Sequence, residues 1–166
     1  MLVTDSSFGK PAVGAAVSDA FDRQMILLIQ GQYLEIPRLH ISAVVREGDG
    51  DEVLDYAVGY LPDTPAPWLP GNSALAAHRD RLFRPLERVR IGDDIRLSTT
   101  HGDFRYRVIQ TLIVDPNDVW VLEPIPRVNL TLVTCYPFRY VGHAPRRFIV
   151  QAEKVVETSL PHAASR

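Results

Sequence analysis

Two β-prone runs lie in residues 130–156, which read LTLVTCYPFRYVGHAPRRFIVQAEKVV. The first run covers residues 130–134 and the second covers residues 148–156, and both favour extended structure. Pro137 stops the first strand soon after Cys135, because proline cannot donate to a sheet ladder. The pattern therefore predicts two strands joined by a loop, with the Cys135 thiol at an exposed strand end.

Short segments of the same kind recur upstream, separated by glycine and proline. Residues 95–98 and 104–108 alternate apolar and polar side chains across a turn, which predicts a hairpin. Two short helical segments are expected over residues 51–58 and 83–89. The other predicted strands cover residues 33–36, 41–45, 73–77, 111–114 and 119–122. About eight strands with one or two short helices make the chain all-β, and favour a closed barrel or a sandwich.

Composition limits the class of protein and the number of domains. The 166 residues carry 18 Lys and Arg against 20 Asp and Glu, a net charge of −2 that argues against a nucleic-acid binder. With 46% hydrophobic residues, a single domain of this length can bury a core without disulfides or a structural metal. We expect an N-terminal arm over residues 1–30, a catalytic barrel over 31–157 and a flexible tail over 158–166.

The sequence indicates no cofactor, metal or membrane span. Five histidines are scattered without the paired spacings of a zinc site. Three acids, Asp115, Asp118 and Glu123, are better explained by a solvated turn than by a calcium site. The apolar run at residues 25–29 is far shorter than the ~20 residues that span a bilayer. The chain as given is therefore expected to be soluble.

Cys135 and His78 are the candidates for nucleophile and acid/base. A lone cysteine often behaves as a small buried hydrophobe. Here, however, it stands at a strand end followed by Arg139, Arg146 and Arg147, and nearby positive charge favours the thiolate. His78 lies where a strand of small residues meets a charged turn. The alternative for His78 is a surface histidine paired with Asp80, and spacing alone does not bring it to Cys135.

The segment 130–150 resembles the active-site strand of class D sortases. The family pattern TLxTC, YPF, YVG, AP and RFIV is matched at residues 131–135, 136–138, 140–142, 144–145 and 147–150. Upstream, the segment around His78 and the Leu-Phe-Arg-Pro-Leu run at 82–86 resemble the family's histidine region. Together the similar segments extend over residues 32–156 in the family's order.

The resemblance implies an eight-stranded sortase barrel and a cysteine transpeptidase. Such an enzyme cleaves a Leu-Pro-any-Thr-Gly or Leu-Pro-any-Thr-Ala sorting signal after Thr and transfers the acyl group to an amine. By motif position Cys135 is the nucleophile, and His78 acts first as general acid and then as general base. Arg147 is the arginine that binds the substrate carbonyls or the oxyanion. Arg146 is a less favoured substitute for it. Thr134, Tyr136 and Ala77 are the candidate substrate contacts.

The partners and location implied by the resemblance are those of a cell-surface enzyme. The partners are a sorting-signal peptide and an amine acceptor, either a peptidoglycan precursor or a pilin-type lysine. Such enzymes act outside the cytoplasmic membrane and are tethered to it by a helix, for which residues 1–31 hold no substitute. The expected location is therefore extracytoplasmic, at the membrane or cell surface.

Several residues depart from the family pattern. Ala77 replaces a usual glycine before the histidine, and Tyr60 and Asp63 stand in a loop that usually contains histidine. The proline-rich loop 64–70 is a candidate wall of the substrate groove, whereas Trp68 within it is expected to pack against the barrel. Two alternatives follow: a barrel that transfers the acyl group only to water, and a catalytically silent barrel that binds peptides.

Overall fold

A computed structural model describes residues 31–156. The expected N-terminal arm and the tail lie outside the described residues. Eight strands form a closed barrel in the order β1-β2-β3-β4-β7-β8-β6-β5, so the expected all-β, eight-stranded fold is confirmed. The strands are β1 (Gln32–Ile36), β2 (Ile41–Glu47), β3 (Val58–Tyr60), β4 (Ser73–Ala76), β5 (Asp94–Thr99), β6 (Gly102–Val114), β7 (Leu130–Tyr136) and β8 (Arg146–Lys154).

The first helix is shorter than predicted. Helix α1 (Asp51–Leu54) begins after Gly50 with two acids in its first turn, where the helix dipole favours negative charge. The prediction of a helix to residue 58 was wrong, because residues from Val58 pair in parallel with β2 as strand β3. Gly59 is required there, since a Cβ on it would clash with the carbonyl oxygen of Gly48.

Two other predicted elements differ in the structure. Residues 104–108 and 111–114 belong to one 13-residue strand, β6, whose register with β8 shifts between Val108 and Gln110. Residues 119–122 form a 3-10 helix, η3 (Val119–Leu122), instead of a strand. Only Val121 of η3 is buried, so this segment covers a sheet and does not extend one. Two further 3-10 helices are η1 (Pro37–Leu39) and η2 (Arg84–Arg88).

Alternate residues of β7 face opposite sides of the sheet. Leu130 and Leu132 belong to the hydrophobic core, whereas Val133 and Cys135 are only half-buried. The same alternation puts Phe148 and Val150 of β8 inside the barrel and Arg147, Ile149 and Gln151 outside. Leu75 of β4 and Ala77 just after it belong to the core, so Ala74 and Ala76 face outward. The outer face of β4, β7 and β8 is therefore one continuous surface.

The proline-rich loop before β4 is held against the barrel at several points. Ser73 Oγ donates to the carbonyl of Pro65 at 2.6 Å, and Lys154 Nζ donates to that of Pro67 at 2.8 Å. The Trp68 ring stacks on His101, with ring centres 3.7 Å apart. Trp68 thus packs on the hairpin turn between β5 and β6.

Candidate active site

Cys135 is the next-to-last residue of β7, and its register partner on β8 is Arg147. Directly opposed residues of an antiparallel pair project to the same face with Cβ atoms about 4.5–5.5 Å apart. The thiol is free and half-buried. The register therefore places Arg147 opposite Cys135 on the outer face of the barrel.

Arg146 lies on the other side of the sheet. Its register partner is Tyr136, whose ring packs against the core. Arg146 is 58% exposed, and its Nε lies 3.9 Å from Asp115 Oδ1. Arg147 instead donates from Nη1 to the carbonyl of Arg146 at 3.0 Å and to that of Ala144 at 3.3 Å. Register therefore favours Arg147 over Arg146 as the arginine of the site.

His78 lies two residues past the end of β4, beside the strand that carries Cys135. The parallel β4–β7 ladder pairs Ala76 with Val133. It continues with the Ala77 N–H donating to the Val133 carbonyl at 3.3 Å and Thr134 Oγ1 donating to the Ala77 carbonyl at 2.7 Å. His78 follows directly on this ladder, beside the end of β7 that carries Cys135, and it is partly exposed whereas Ala77 is buried. The fold therefore gathers His78, Cys135 and Arg147 at one end of three adjacent strands.

Two carboxylates from helix α1 and its end lie near the His78 imidazole. Its Nε2 is 3.9 Å from Asp51 Oδ1 and 3.8 Å from Asp55 Oδ1, and the side chain is 29% exposed. Asp55 also forms an ion pair with Arg81 at 3.1 Å. Neither acid was identified from the sequence, which suggested Asp80 instead. They lie more than twenty residues before His78, and only the closing of the barrel brings them there.

The candidate substrate contacts Thr134 and Ala77 face inward. Their side chains are 3% and 4% exposed, and the bond between Thr134 Oγ1 and the Ala77 carbonyl joins β7 to β4. Ala77 does not have a positive φ angle, so the backbone there accepts an alanine side chain in place of the family's usual glycine. The Tyr136 ring packs with Phe138 and Phe148. Any contact of these three residues with a peptide in the outer groove would therefore use backbone atoms.

A sortase-domain family model matches residues 34–155, which include the whole site. The chain belongs to the sortase family. It is 37% identical over 123 residues to Sortase D of Bacillus subtilis (strain 168), an alignment that covers 74% of this chain and 62% of that protein. The chain thus spans less than two thirds of this relative. The similarity confirms the expected class D resemblance.

Solved sortase structures share the fold. Sortase C from Clostridium perfringens SM101 superposes with a TM-score of 0.66 and 29% identity, covering 75% of this chain and 68% of that one. A Clostridium perfringens Sortase D5 transpeptidase superposes with a TM-score of 0.68 over 84% of this chain and 91% of that one. At 23% identity, the second comparison supports the fold alone.

In this sortase the loop between β6 and β7 is held on the outer sheet face by buried polar groups. The carbonyl of Val121 accepts hydrogen bonds from Asn72 Nδ2 at 3.1 Å and Gln151 Nε2 at 3.0 Å. Thr131 Oγ1 donates to Asn72 Oδ1 at 2.8 Å. The side chains of Asn72, Thr131 and Gln151 are at most 1% exposed. Each hydrogen bond therefore pairs a buried polar group that would otherwise be desolvated without a partner. Segment η3 thus covers the outer face of β7 and β8 at Thr131 and Gln151, on the same face as Cys135.

Two observations concern metals and membranes in the described part of the sortase. Between residues 31 and 156, no group of three or more His, Cys, Asp or Glu side chains is arranged to hold a metal ion. Asp118 Oδ2 instead accepts a hydrogen bond from the Asp115 N–H at 2.9 Å, as in a local turn. The same residues contain no helix with the length and apolar character needed to cross a bilayer.

Proposed function

We propose that the chain is a class D cysteine transpeptidase that cleaves a Leu-Pro-any-Thr-Gly or Leu-Pro-any-Thr-Ala sorting signal after Thr. The observation that carries this proposal is that Arg147 on β8 opposes Cys135 on β7, while His78 follows directly on the end of the β4–β7 ladder. These residue types supply a nucleophile, a proton carrier and a fixed positive charge. Acyl transfer through a thioester needs all three.

In the first step the Cys135 thiol gives its proton to His78, and the sulfur attacks the Thr carbonyl carbon. The S–C bond forms and the carbonyl oxygen becomes an oxyanion, which the Arg147 guanidinium stabilises. As the C–N bond then breaks, His78 donates a proton to the departing nitrogen. The product is a thioacyl enzyme and a free amine.

In the second step an amine acceptor attacks the thioester carbonyl. The new C–N bond forms, His78 accepts the proton from nitrogen, and the Cys135 sulfur leaves as thiolate. Arginine suits the oxyanion role because it keeps its charge at every physiological pH and presents a rigid set of donors. The acceptor we propose is a peptidoglycan precursor or a pilin-type lysine, at the outer side of the cytoplasmic membrane.

The test is product analysis with a Leu-Pro-Asn-Thr-Ala peptide in the presence and absence of a primary amine. We expect cleavage after Thr and a ligated product that appears only with the amine. Cleavage with water as the sole acceptor at every amine concentration would show a hydrolase. Absence of both products across several Leu-Pro-any-Thr peptides would contradict the proposal and favour a barrel that only binds peptides.

A further inference from the structure

Arg79, the residue after His78, holds the loop that joins β7 to β8. Its Nη2 donates to the carbonyl oxygens of Tyr140 at 2.7 Å and Gly142 at 3.0 Å. Its Cζ also lies 6.0 Å from the centre of the Tyr140 ring. Hydrogen bonds from a charged donor are stronger than those between neutral groups, and the ring adds a cation–π attraction. One side chain therefore holds two points of the loop 137–145.

These two bonds connect the His78 segment to the β7–β8 unit. The β4–β7 ladder ends at Ala77, and the His78 carbonyl accepts only from the N–H groups of Arg81 and Phe83, which close a local turn. In the described residues 31–156, segment 78–83 forms two hydrogen bonds to residues 130–154, and Arg79 donates both. On the side before His78, Ala77 is bonded to Val133 and Thr134 of β7. On the side after it, Arg79 makes the connection to the β7–β8 unit.

Arg147 contacts the same loop from the other side. Its Nη1 donates to the carbonyl of Ala144. The carbonyls of Tyr140 and Gly142 thus accept from the guanidinium of Arg79. The carbonyl of Ala144 accepts from that of Arg147. The loop is a hydrogen-bonded connection between the His78 segment and the arginine beside the thiol.

We propose that Arg79 is a positioning residue, which fixes the His78 imidazole relative to the Cys135 sulfur through the β7–β8 loop. This inference rests on the proposed transpeptidase function. Arg79 acts through His78 and need not touch the substrate. Its effect should therefore appear in the step that uses the His78 proton, because a displacement of about 1 Å costs on the order of 10²-fold in rate.

The experiment compares two leaving groups in single-turnover acylation of Cys135. One substrate is a Leu-Pro-Asn-Thr-Ala peptide, whose departing nitrogen takes a proton from His78. The other is the p-nitrophenyl ester of Leu-Pro-Asn-Thr, whose C–O bond breaks to release a phenolate anion that needs no proton. For Arg79→Ala we expect acylation by the peptide to slow at least about tenfold and acylation by the ester to slow less than about twofold.

Two further variants separate positioning from a general loss of charge. Arg79→Lys keeps donors for two carbonyls, and it should restore peptide acylation to within about fivefold of the wild-type rate. Arg139→Ala removes an arginine from the same loop. Because Arg139 is 76% exposed and 3.5 Å from its partner Glu87, this variant should retain the wild-type rate with both substrates.

Hydrogen exchange of the loop supplies a readout that does not depend on catalysis. In Arg79→Ala the amides of residues 138–143 should exchange at least about tenfold faster than in wild type, as local opening becomes easier. They should exchange normally in Arg139→Ala.

Three outcomes would overturn the inference: equal slowing with both substrates, unchanged peptide acylation, or unchanged loop exchange in Arg79→Ala. If wild-type protein is acylated by neither substrate, the proposed function fails and the catalytic role of Arg79 fails with it. Faster loop exchange would in that case show that Arg79 only holds the loop.

Discussion

Cys135 on β7 and Arg147 on β8 face each other as directly opposed residues of an antiparallel pair. Arg146, one residue earlier, is directed to the opposite side of the sheet by the two-residue period of a strand. The placement of Arg147 opposite Cys135 is thus fixed by sheet register. Register thus agrees with the motif, which already favoured Arg147 over Arg146.

The first prediction compares these two arginines. Arg147→Gln should lower kcat/KM for the sorting-signal peptide by about 10²–10³-fold, because it removes the charge proposed to stabilise the oxyanion. Arg146→Gln should change it by less than about threefold, since an exposed ion pair contributes little. Steady-state peptide cleavage measures both. Equal losses for the two variants would contradict the assignment.

The second prediction concerns His78 and Cys135. Cys135→Ala should abolish thioester formation and peptide cleavage. His78→Ala should lower cleavage by about 10²–10⁴-fold, the usual contribution of a general acid. Both positions are half-buried on the outer face, so the melting temperature should remain close to that of wild type. Thermal unfolding followed by circular dichroism is the control, and a variant that fails to fold would show that the residue is structural.

The third prediction tests the buried polar groups that hold the β6–β7 loop. Gln151→Leu removes the bond to the Val121 carbonyl and leaves the Gln110 amide without its side-chain partner. The free energy of unfolding should fall by about 1 kcal/mol, the net contribution of a hydrogen bond, because the Val121 carbonyl still accepts from Asn72. Urea unfolding measures it. A matched change at an exposed position of β6, Thr111→Val, should shift it by less than about 0.5 kcal/mol.

A Gln151→Leu variant as stable as wild type would show that these hydrogen bonds make no net contribution to the free energy of unfolding. Hydrogen exchange of residues 119–123 adds a local measurement. Faster exchange there in Gln151→Leu, with unchanged exchange in the β5–β6 hairpin, is the expected pattern.

The fourth prediction concerns acid stability. Arg38 donates from Nε and Nη2 to both carboxylate oxygens of Asp93, at 2.5 Å and 2.7 Å. The hydrogen bonds from Arg38 hold the pKa of Asp93 below its ordinary value, and this outweighs the opposing effect of burial. A carboxyl whose pKa is lowered by folding stabilises the protein above its unfolded-state pKa. That stabilisation is lost as the pH falls through the folded-state pKa.

Asp93→Asn should therefore lower the melting temperature at pH 7. The difference from wild type should shrink as the pH falls below about 4, the ordinary range of an aspartate pKa. Thermal unfolding across pH 3–7 measures this. A difference that stays constant down to pH 3 would contradict the role of the Arg38–Asp93 pair.

Local sequence predicted an all-β fold, a barrel or a sandwich, and most of its strands, whereas the family resemblance implied the barrel. Segments such as β7 and β8 contain β-branched and alternating residues that favour extended structure on their own. Strand β3 was missed because its three residues, Val58–Tyr60, follow directly on the apolar pattern of the helix before it. Segment η3 was mistaken for a strand because Val119 and Trp120 are β-prone residues, although here they are exposed on a loop.

The site was only partly predictable. The motif around Cys135 and Arg147 lies in one hairpin, so register follows from local sequence. The carboxylates of Asp51 and Asp55 near His78, and the contact of Arg79 with Tyr140, join parts of the chain that are far apart in sequence. Such contacts depend on barrel closure, which no local pattern encodes.

The most direct measurement is intact-protein and peptide-mapping mass spectrometry after rapid acid quenching of a reaction with the Leu-Pro-Asn-Thr-Ala peptide. The account predicts a mass increase equal to the peptide acyl group ending at Thr, located on Cys135, discharged by a primary amine and absent in Cys135→Ala. Peptide cleavage that proceeds without any adduct on Cys135, or that persists in Cys135→Ala, would contradict it.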